Sequence, residues 1–166
     1  MTLLQTARLR LREMIREDAV FLHEIMNEPE FIANVADRGI RSPAAAERWM
    51  EEKILPSYAQ YGFGFYVVEL QGTGEPVGFC GFVKRPSLED VEIGYAMLRR
   101  HNGKGYTYEA AAAVLAYGRE TLRLARIIAV TASSNAVSIH LLKKLGLRFE
   151  RMVQLPEFEH SLMLFG

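Results

Sequence analysis

Leu98-Arg99-Arg100-His101-Asn102-Gly103-Lys104-Gly105-Tyr106-Thr107 is the stretch of this 166-residue chain around which the rest can be read. Val91 to Leu98, just before it, has the length and alternation of a strand. Tyr106 to Leu122, just after it, reads as a long helix, with Ala110 to Ala113 forming a smooth face that can lie close to a sheet. Gly103 and Gly105 let the connecting backbone turn tightly and approach a ligand without a Cβ in the way. A helix starting there presents free N–H groups and a positive dipole end, which favour a phosphate or pyrophosphate. Arg99, Arg100, His101 and Lys104 add positive charge. The competing reading is an ordinary glycine turn with a solvated basic face. Two other phosphate motifs do not fit. A dinucleotide fingerprint needs a small residue where Tyr108 stands and an acid about 20 residues on. A nucleotide-triphosphate loop needs Ser or Thr after Gly103-Lys104, where the chain has Gly105.

Working outward, Leu9 and Leu11 alternate with arginines as a half-buried strand does. Asp18 to Asn27 has a helical apolar stripe, stopped by Glu28-Pro29. Ser42-Pro43 combines a capping hydroxyl with proline at a first helical position, so a helix starts there and Pro56 interrupts it. Phe63 to Leu70 and Val77 to Lys84, joined by Gln71-Gly72-Thr73-Gly74-Glu75-Pro76, read as a hairpin. The aromatic run from Tyr58 to Tyr66 fits packing in the core and hairpin. Ile127 to Thr131 is a short strand and Asn135 to Leu145 a helix, closed by cations and Gly146. Phe149 to Val153 and Ser161 to Phe165 are the last strands. The order predicts a single α/β domain over residues 1–166, with a central mixed, mostly antiparallel sheet and helices on both faces.

Twenty Lys plus Arg balance twenty Asp plus Glu, so net charge is zero. That is no general footprint for nucleic acid or an anionic membrane, and any anion site must be local. The one cysteine, Cys80, stands in an apolar run and reads as a small buried residue, with no disulfide partner and no metal-ligand spacing. No run approaches the 18 apolar residues of a membrane span. The expectation is a soluble, cytoplasmic protein, a monomer or homodimer, that uses no metal.

Arg100, Gly103 and Gly105, as Arg-x-x-Gly-x-Gly after a strand, resemble the coenzyme A pyrophosphate loop of the Gcn5-related N-acetyltransferases (GNAT). The resemblance extends to Thr6-Ala7-Arg8-Leu9-Arg10-Leu11-Arg12, Glu92-Ile93-Gly94-Tyr95, Gly103-Lys104-Gly105-Tyr106 running on to Glu109-Ala110, and Asn135-x-x-Ser138 leading to Lys144-Leu145-Gly146-Leu147. These stretches are most similar to the RimJ/RimL-type branch, which acetylates protein N-termini and also includes enzymes for small amines. The resemblance implies acetyl-CoA as cosubstrate and an amine acceptor, a peptide N-terminus or a small amine. It implies that main-chain groups at Met97 and Leu98 pair with the pantetheine amides. The amides of Arg100, His101, Asn102, Gly103, Lys104, Gly105 and Tyr106, in the loop that starts at Arg99, would hold the pyrophosphate, and Asn135 the pantetheine arm. Many members carry a tyrosine seven residues after the asparagine to protonate the thiolate. Here that residue is Leu142, which leaves Ser138 as the candidate acid.

An attacking amine must first lose a proton. Alternation puts Glu92 on one face with Gly94, Ala96 and Leu98, and the small residues leave room beside it for the reactants. Glu92 is therefore the candidate base, against the plainer reading of a solvated strand residue. Asn135 also suits a helix cap, and Ser138 also suits packing. His101 reads as a surface loop residue. A module that binds acyl-CoA without turnover is the non-enzymatic alternative.

Overall fold

The computed structural model describes residues 2–166. Eight strands form one sheet: β1 (Thr2–Gln5), β2 (Leu9–Glu13), β3 (Phe65–Leu70), β4 (Pro76–Val83), β5 (Val91–Met97), β6 (Ile127–Thr131), β7 (Phe149–Val153) and β8 (Leu162–Phe165). Their order is β1-β2-β3-β4-β5-β6-β8-β7. Every neighbouring pair is antiparallel except β5 with β6. Six helices accompany them: α1 (Ala19–Met26), α2 (Pro29–Asn34), α3 (Pro43–Lys53), α4 (Leu55–Tyr61), α5 (Tyr106–Glu120) and α6 (Ala136–Lys144).

The expected mixed sheet with helices on both faces is what the chain forms. Alternation along the strands sorts its side chains. Leu9, Leu11, Tyr66, Val68, Cys80 and Phe82 pack with Ala110, Val114 and Leu115 of α5 and Leu142 of α6. Val67, Phe79 and Leu98 pack on the opposite face against Phe21, Leu22, Ile25 and Met50 of α1 and α3. A third cluster, including Ile128, Val153 and Leu164, holds the C-terminal strands. Cys80 is a fully buried core residue, and burial pushes its thiol up.

Two elements carry no clear sequence signal. β1 is an edge strand of four residues whose register with β2 slips between Thr2 and Leu4. α2 is six residues long with Pro29 at its start, so the proline that ends α1 also opens a new turn. Elsewhere the local chemistry works as read. Ser42 Oγ accepts from the Ala45 N–H at 3.1 Å, and the α3–α4 break falls at Ile54, two residues before Pro56.

The smooth face of α5 has a consequence at Gly118. A Cβ there would lie 2.5 Å from the Phe82 ring and 2.9 Å from Ile127. Gly118→Val should therefore destabilise the fold by about 3 kcal/mol through overpacking. Chemical denaturation measures this, and an unchanged midpoint would refute the close approach of α5 to the sheet.

Candidate active site

The parallel pairing of β5 with β6 is brief. It consists of Val91 opposite Ile127 and Glu92 opposite Ile128. Beyond that point β5 stays paired with β4, and β6 pairs with β8 instead. One edge of β5 from Ile93 to Met97 is therefore left without a strand among the described residues. The Leu98 N–H donates to Val77 O at 2.8 Å, on the β4 side. Alternation then turns the main-chain groups of Tyr95 and Met97 into the gap. This corrects the expectation for Leu98. Its amide is already used, so Tyr95 joins Met97 as the exposed edge.

The chain leaves β5 through a 3-10 turn at Arg99–His101 and enters α5 past Gly103 and Gly105, with φ of +76° and +81°. The left-handed region favours glycine at both. A Cβ on Gly103 would meet nothing within 4 Å. Among the described residues, the amides of Gly103, Lys104 and Gly105 have no acceptor within the protein. Open space and unpaired amides at a helix start fit a pyrophosphate.

The cations of the loop are placed differently from expectation. Arg100 pairs with Glu24 and lies 3.8 Å from Glu75. The Arg99 N–H donates to the Glu28 carboxylate at 3.0 Å, and its guanidinium lies 3.7 Å from Glu30. Asn102 Nδ2 donates to Glu30 at 3.1 Å. His101 is buried rather than a surface residue, with Nε2 3.2 Å from Glu75 and its ring beside Tyr106. These side chains tie the loop to α1, α2 and the β3–β4 turn, so main-chain amides are its principal offering to an anion. Arg8 provides a further tie. Its Nη1 donates to Lys104 O at 2.8 Å, its guanidinium covers the Tyr106 ring at 4.6 Å, and its Nε pairs with Glu109 at 2.7 Å. The sequence showed Arg8 in a strand pattern and in the opening stretch of the family resemblance, with no partner assigned to it.

Across the gap stands the start of α6. Asn135 Oδ1 accepts from the Ser138 N–H at 3.2 Å, so Asn135 is a helix cap. Its side chain also lines the cavity described below. Ser138 Oγ lies 2.7 Å from the Tyr95 hydroxyl, which reaches it from β5. Burial pushes the Tyr95 phenol up to about 12, so it stays neutral at physiological pH. Leu142, where an acid is usual in the resembling family, is fully buried against α5. A polar group there would sit in the core. Tyr95 is the residue that reading along the chain missed, because its partner is 43 positions away.

Glu92 is only 3% exposed, not solvated. Both its oxygens accept from Arg85 Nε, at 3.0 and 2.9 Å. Burial pushes its carboxyl above the usual range, and Arg85 pulls it back down. The room expected above Gly94 is filled, since a Cβ there would lie 2.9 Å from the Phe65 ring. The open space lies instead at the gap. A cavity of about 520 Å³ is lined by Glu92 and Phe65 on the α1–α4 side and by Tyr95, Asn135 and Ser138 on the α6 side. Two reactants could enter from opposite faces and meet where the sheet is open.

Known proteins are similar to this chain in sequence and in fold. N-acetyltransferase p20 of Bacillus licheniformis is 31% identical over 155 residues, 93% of this chain and 86% of its own. The structure of an acetyltransferase from Agrobacterium tumefaciens str. C58 superposes with a TM-score of 0.81 at 24% identity, covering 98% of this chain and 91% of that one. RimL, a ribosomal L7/L12 α-N-protein acetyltransferase solved with coenzyme A, has a TM-score of 0.84 at 16% identity over 99% of this chain and 96% of its own. The acetyltransferase (GNAT) domain matches residues 8–148, which include the open edge of β5, the glycine loop and the cap of α6, and this chain belongs to that family of acetyl-CoA-dependent N-acetyltransferases.

Proposed function

We propose that this acetyltransferase acts on an α-amine at a peptide N-terminus, with Glu92 taking the amine's proton and Ser138 assisting departure of the thiolate. The carrying observation is that Glu92, Tyr95, Asn135 and Ser138 line one cavity at the gap between β5 and β6. The resemblance to the RimJ/RimL branch, and RimL among the structural neighbours, support a peptide acceptor.

In this reading the exposed edge of β5 at Tyr95 and Met97 holds the pantetheine arm like an added strand, and Asn135 contacts it from the other side. The loop amides of Gly103, Lys104 and Gly105 hold the pyrophosphate, since those of His101 and Asn102 already donate to Leu98 O and Arg99 O. The amine nitrogen attacks the thioester carbon, the N–C bond forms and the C–S bond breaks. The amine's proton passes to the Glu92 carboxylate, directly or through one water. Tyr95, neutral and hydrogen-bonded to Ser138 Oγ, leaves the serine proton free to point at the departing sulfur. The thiolate takes its own proton from solvent on release. Holding two substrates at one gap supplies much of the rate.

CoA at 100 times its dissociation constant should stabilise the wild type by about 2.7 kcal/mol. Gly105→Val should abolish that thermal shift, and CoA release with N-terminal peptides should fall with it. A folded Gly105→Val protein with an unchanged shift would remove the loop from the CoA site.

Ser138→Ala and Tyr95→Phe should each lower kcat by on the order of tenfold, the worth of one hydrogen bond to a charged group, with CoA affinity preserved. Since the tyrosine acts through the serine, the double variant should lose little more than either single one. Additive losses would separate the two residues.

Glu92→Gln should cost ~10²–10⁴-fold in kcat at neutral pH. A carboxyl raised by burial gains its proton as pH falls, so wild-type kcat should decline on the acid side through the pKa of Glu92. The variant should lack that limb and recover at high pH, where the free amine needs no base. Near-wild-type kcat at pH 7 would take Glu92 out of the mechanism.

A further inference from the structure

Beyond Glu92 the cavity carries a charge pattern that acetyl transfer does not use. Its charged lining consists of Arg38, Lys53, Lys84 and Arg85 on one side of the balance and Glu92 and Glu157 on the other, in a chain of zero net charge. The cations are not equivalent. Arg85 gives its Nε to Glu92, and its Nη1 is 3.9 Å from Glu157. Lys84 Nζ is occupied by the carbonyls of Arg85, at 3.0 Å, and of Leu88. Arg38 and Lys53 make no hydrogen bond or ion pair to a carboxylate among the described residues. Arg38 instead rests its guanidinium over the Trp49 ring at 5.4 Å, which fixes it at the cavity wall. Arg38 is an exposed residue at the cavity mouth, where partial desolvation against the wall and then the nearby charge of Arg85 disfavour its charged form, while Glu157 favours it. A guanidinium held on an aromatic face, beside a second guanidinium and without a carboxylate of its own, is suited to receive an anion in a planar, two-pronged contact.

We propose that the acceptor is zwitterionic: its amine is drawn to Glu92 and Glu157, and a carboxylate carried on the same molecule pairs with Arg38, with Lys53 adding to the field. The proposal deepens the acetyl-transfer reading and rests on it. Free α-amino acids and peptides with an acidic residue near the N-terminus share this chemistry. A polyamine, which would bring several cations to Arg38 and Lys53, does not.

The test uses CoA release from acetyl-CoA with matched acceptors. One arm compares free alanine and serine, whose carboxylate is the α-carboxylate, with alaninamide and serinamide, which carry none. A second compares Ser-Asp with Ser-Asn, both as C-terminal amides, and spermidine is the polycation control. In at least one arm, the acceptor with the extra carboxylate should have a kcat/KM about 10–100-fold above its neutral match, the span expected for a hydrogen bond to a charged group. The arm showing the preference identifies the source, amino acid or acidic peptide. Arg38→Gln should collapse that ratio towards one, and Arg38→Lys should keep part of it. Carboxamide partners turned over as well as the matched carboxylates in both arms, or a preference for spermidine, would overturn the zwitterionic acceptor while leaving acetyl transfer intact. A ratio unmoved by Arg38→Gln would overturn the assignment to Arg38. No CoA release with any acceptor would overturn acetyl transfer itself, and this inference with it.

Discussion

The site depends on one constraint: β5 and β6 share only two residue pairs before each is committed to its other neighbour. A parallel ladder continued to Met97 would satisfy the amides of β5 and close the sheet. Because β6 pairs with β8 and β5 with β4, neither strand can follow the other. The gap leaves the Tyr95 and Met97 backbone groups needing partners, and unpaired backbone polarity away from water is costly. An added strand-like ligand resolves that cost. The Tyr95–Ser138 hydrogen bond spans the same opening and ties the start of α6 to β5. The interruption of the sheet thus leaves an open edge on β5 and aligns the polar groups beside it.

Charge is arranged around the gap with a consistent logic. The basic loop is tied by side chains to Glu24, Glu30 and Glu75 and by the Arg99 amide to Glu28, which leaves the amides of Gly103 to Gly105 without acceptors among the described residues. Its other support, Arg8, is anchored by Glu109. Elsewhere Arg12 bridges Asp18 and Glu69, both buried, and their carboxylates raise its already high pKa further. Breaking such a buried pair by removing one partner is costly, of order 3–5 kcal/mol. Arg38 departs from this pattern. Most arginines here are matched to acids, whereas this one faces a cavity from an aromatic ring.

Most of the fold was legible because its signals are local. Alternation located β3 and β5, the turn at 71–76 located β4, a short apolar run located β6, Ser42-Pro43 located α3, and paired glycines between strand and helix located the loop. β1 and α2 were not legible, since four residues at an edge and six residues behind a proline show no period long enough to read. At the site, alternation placed Glu92 and Tyr95 on opposite faces, which is how the sheet sorts them. It could not show that both line one cavity, because that follows from where β5 and β6 part. His101 was misread for a similar reason. Its burial comes from Glu75 and Tyr106 closing over it, and the pairing with Glu75 spans 26 residues. Phe65 filling the space over Gly94 is likewise a contact between strands, invisible to the spacing within either one.

Leu142 shows how one change of residue type can move chemistry between elements. It is fully buried among residues of α5 and the sheet, so that turn of α6 contributes to the core rather than the site. In the proposed mechanism the polar function at the sulfur falls to Ser138, one turn earlier, where the helix borders the cavity. A serine hydroxyl alone can rotate and has no fixed direction for its proton. Tyr95, kept neutral by burial and rooted in a strand paired with β4, gives it one. Orientation comes from a rigid strand and contact from the helix, so in the proposed mechanism the two hydroxyls together take the part of a single longer side chain on α6.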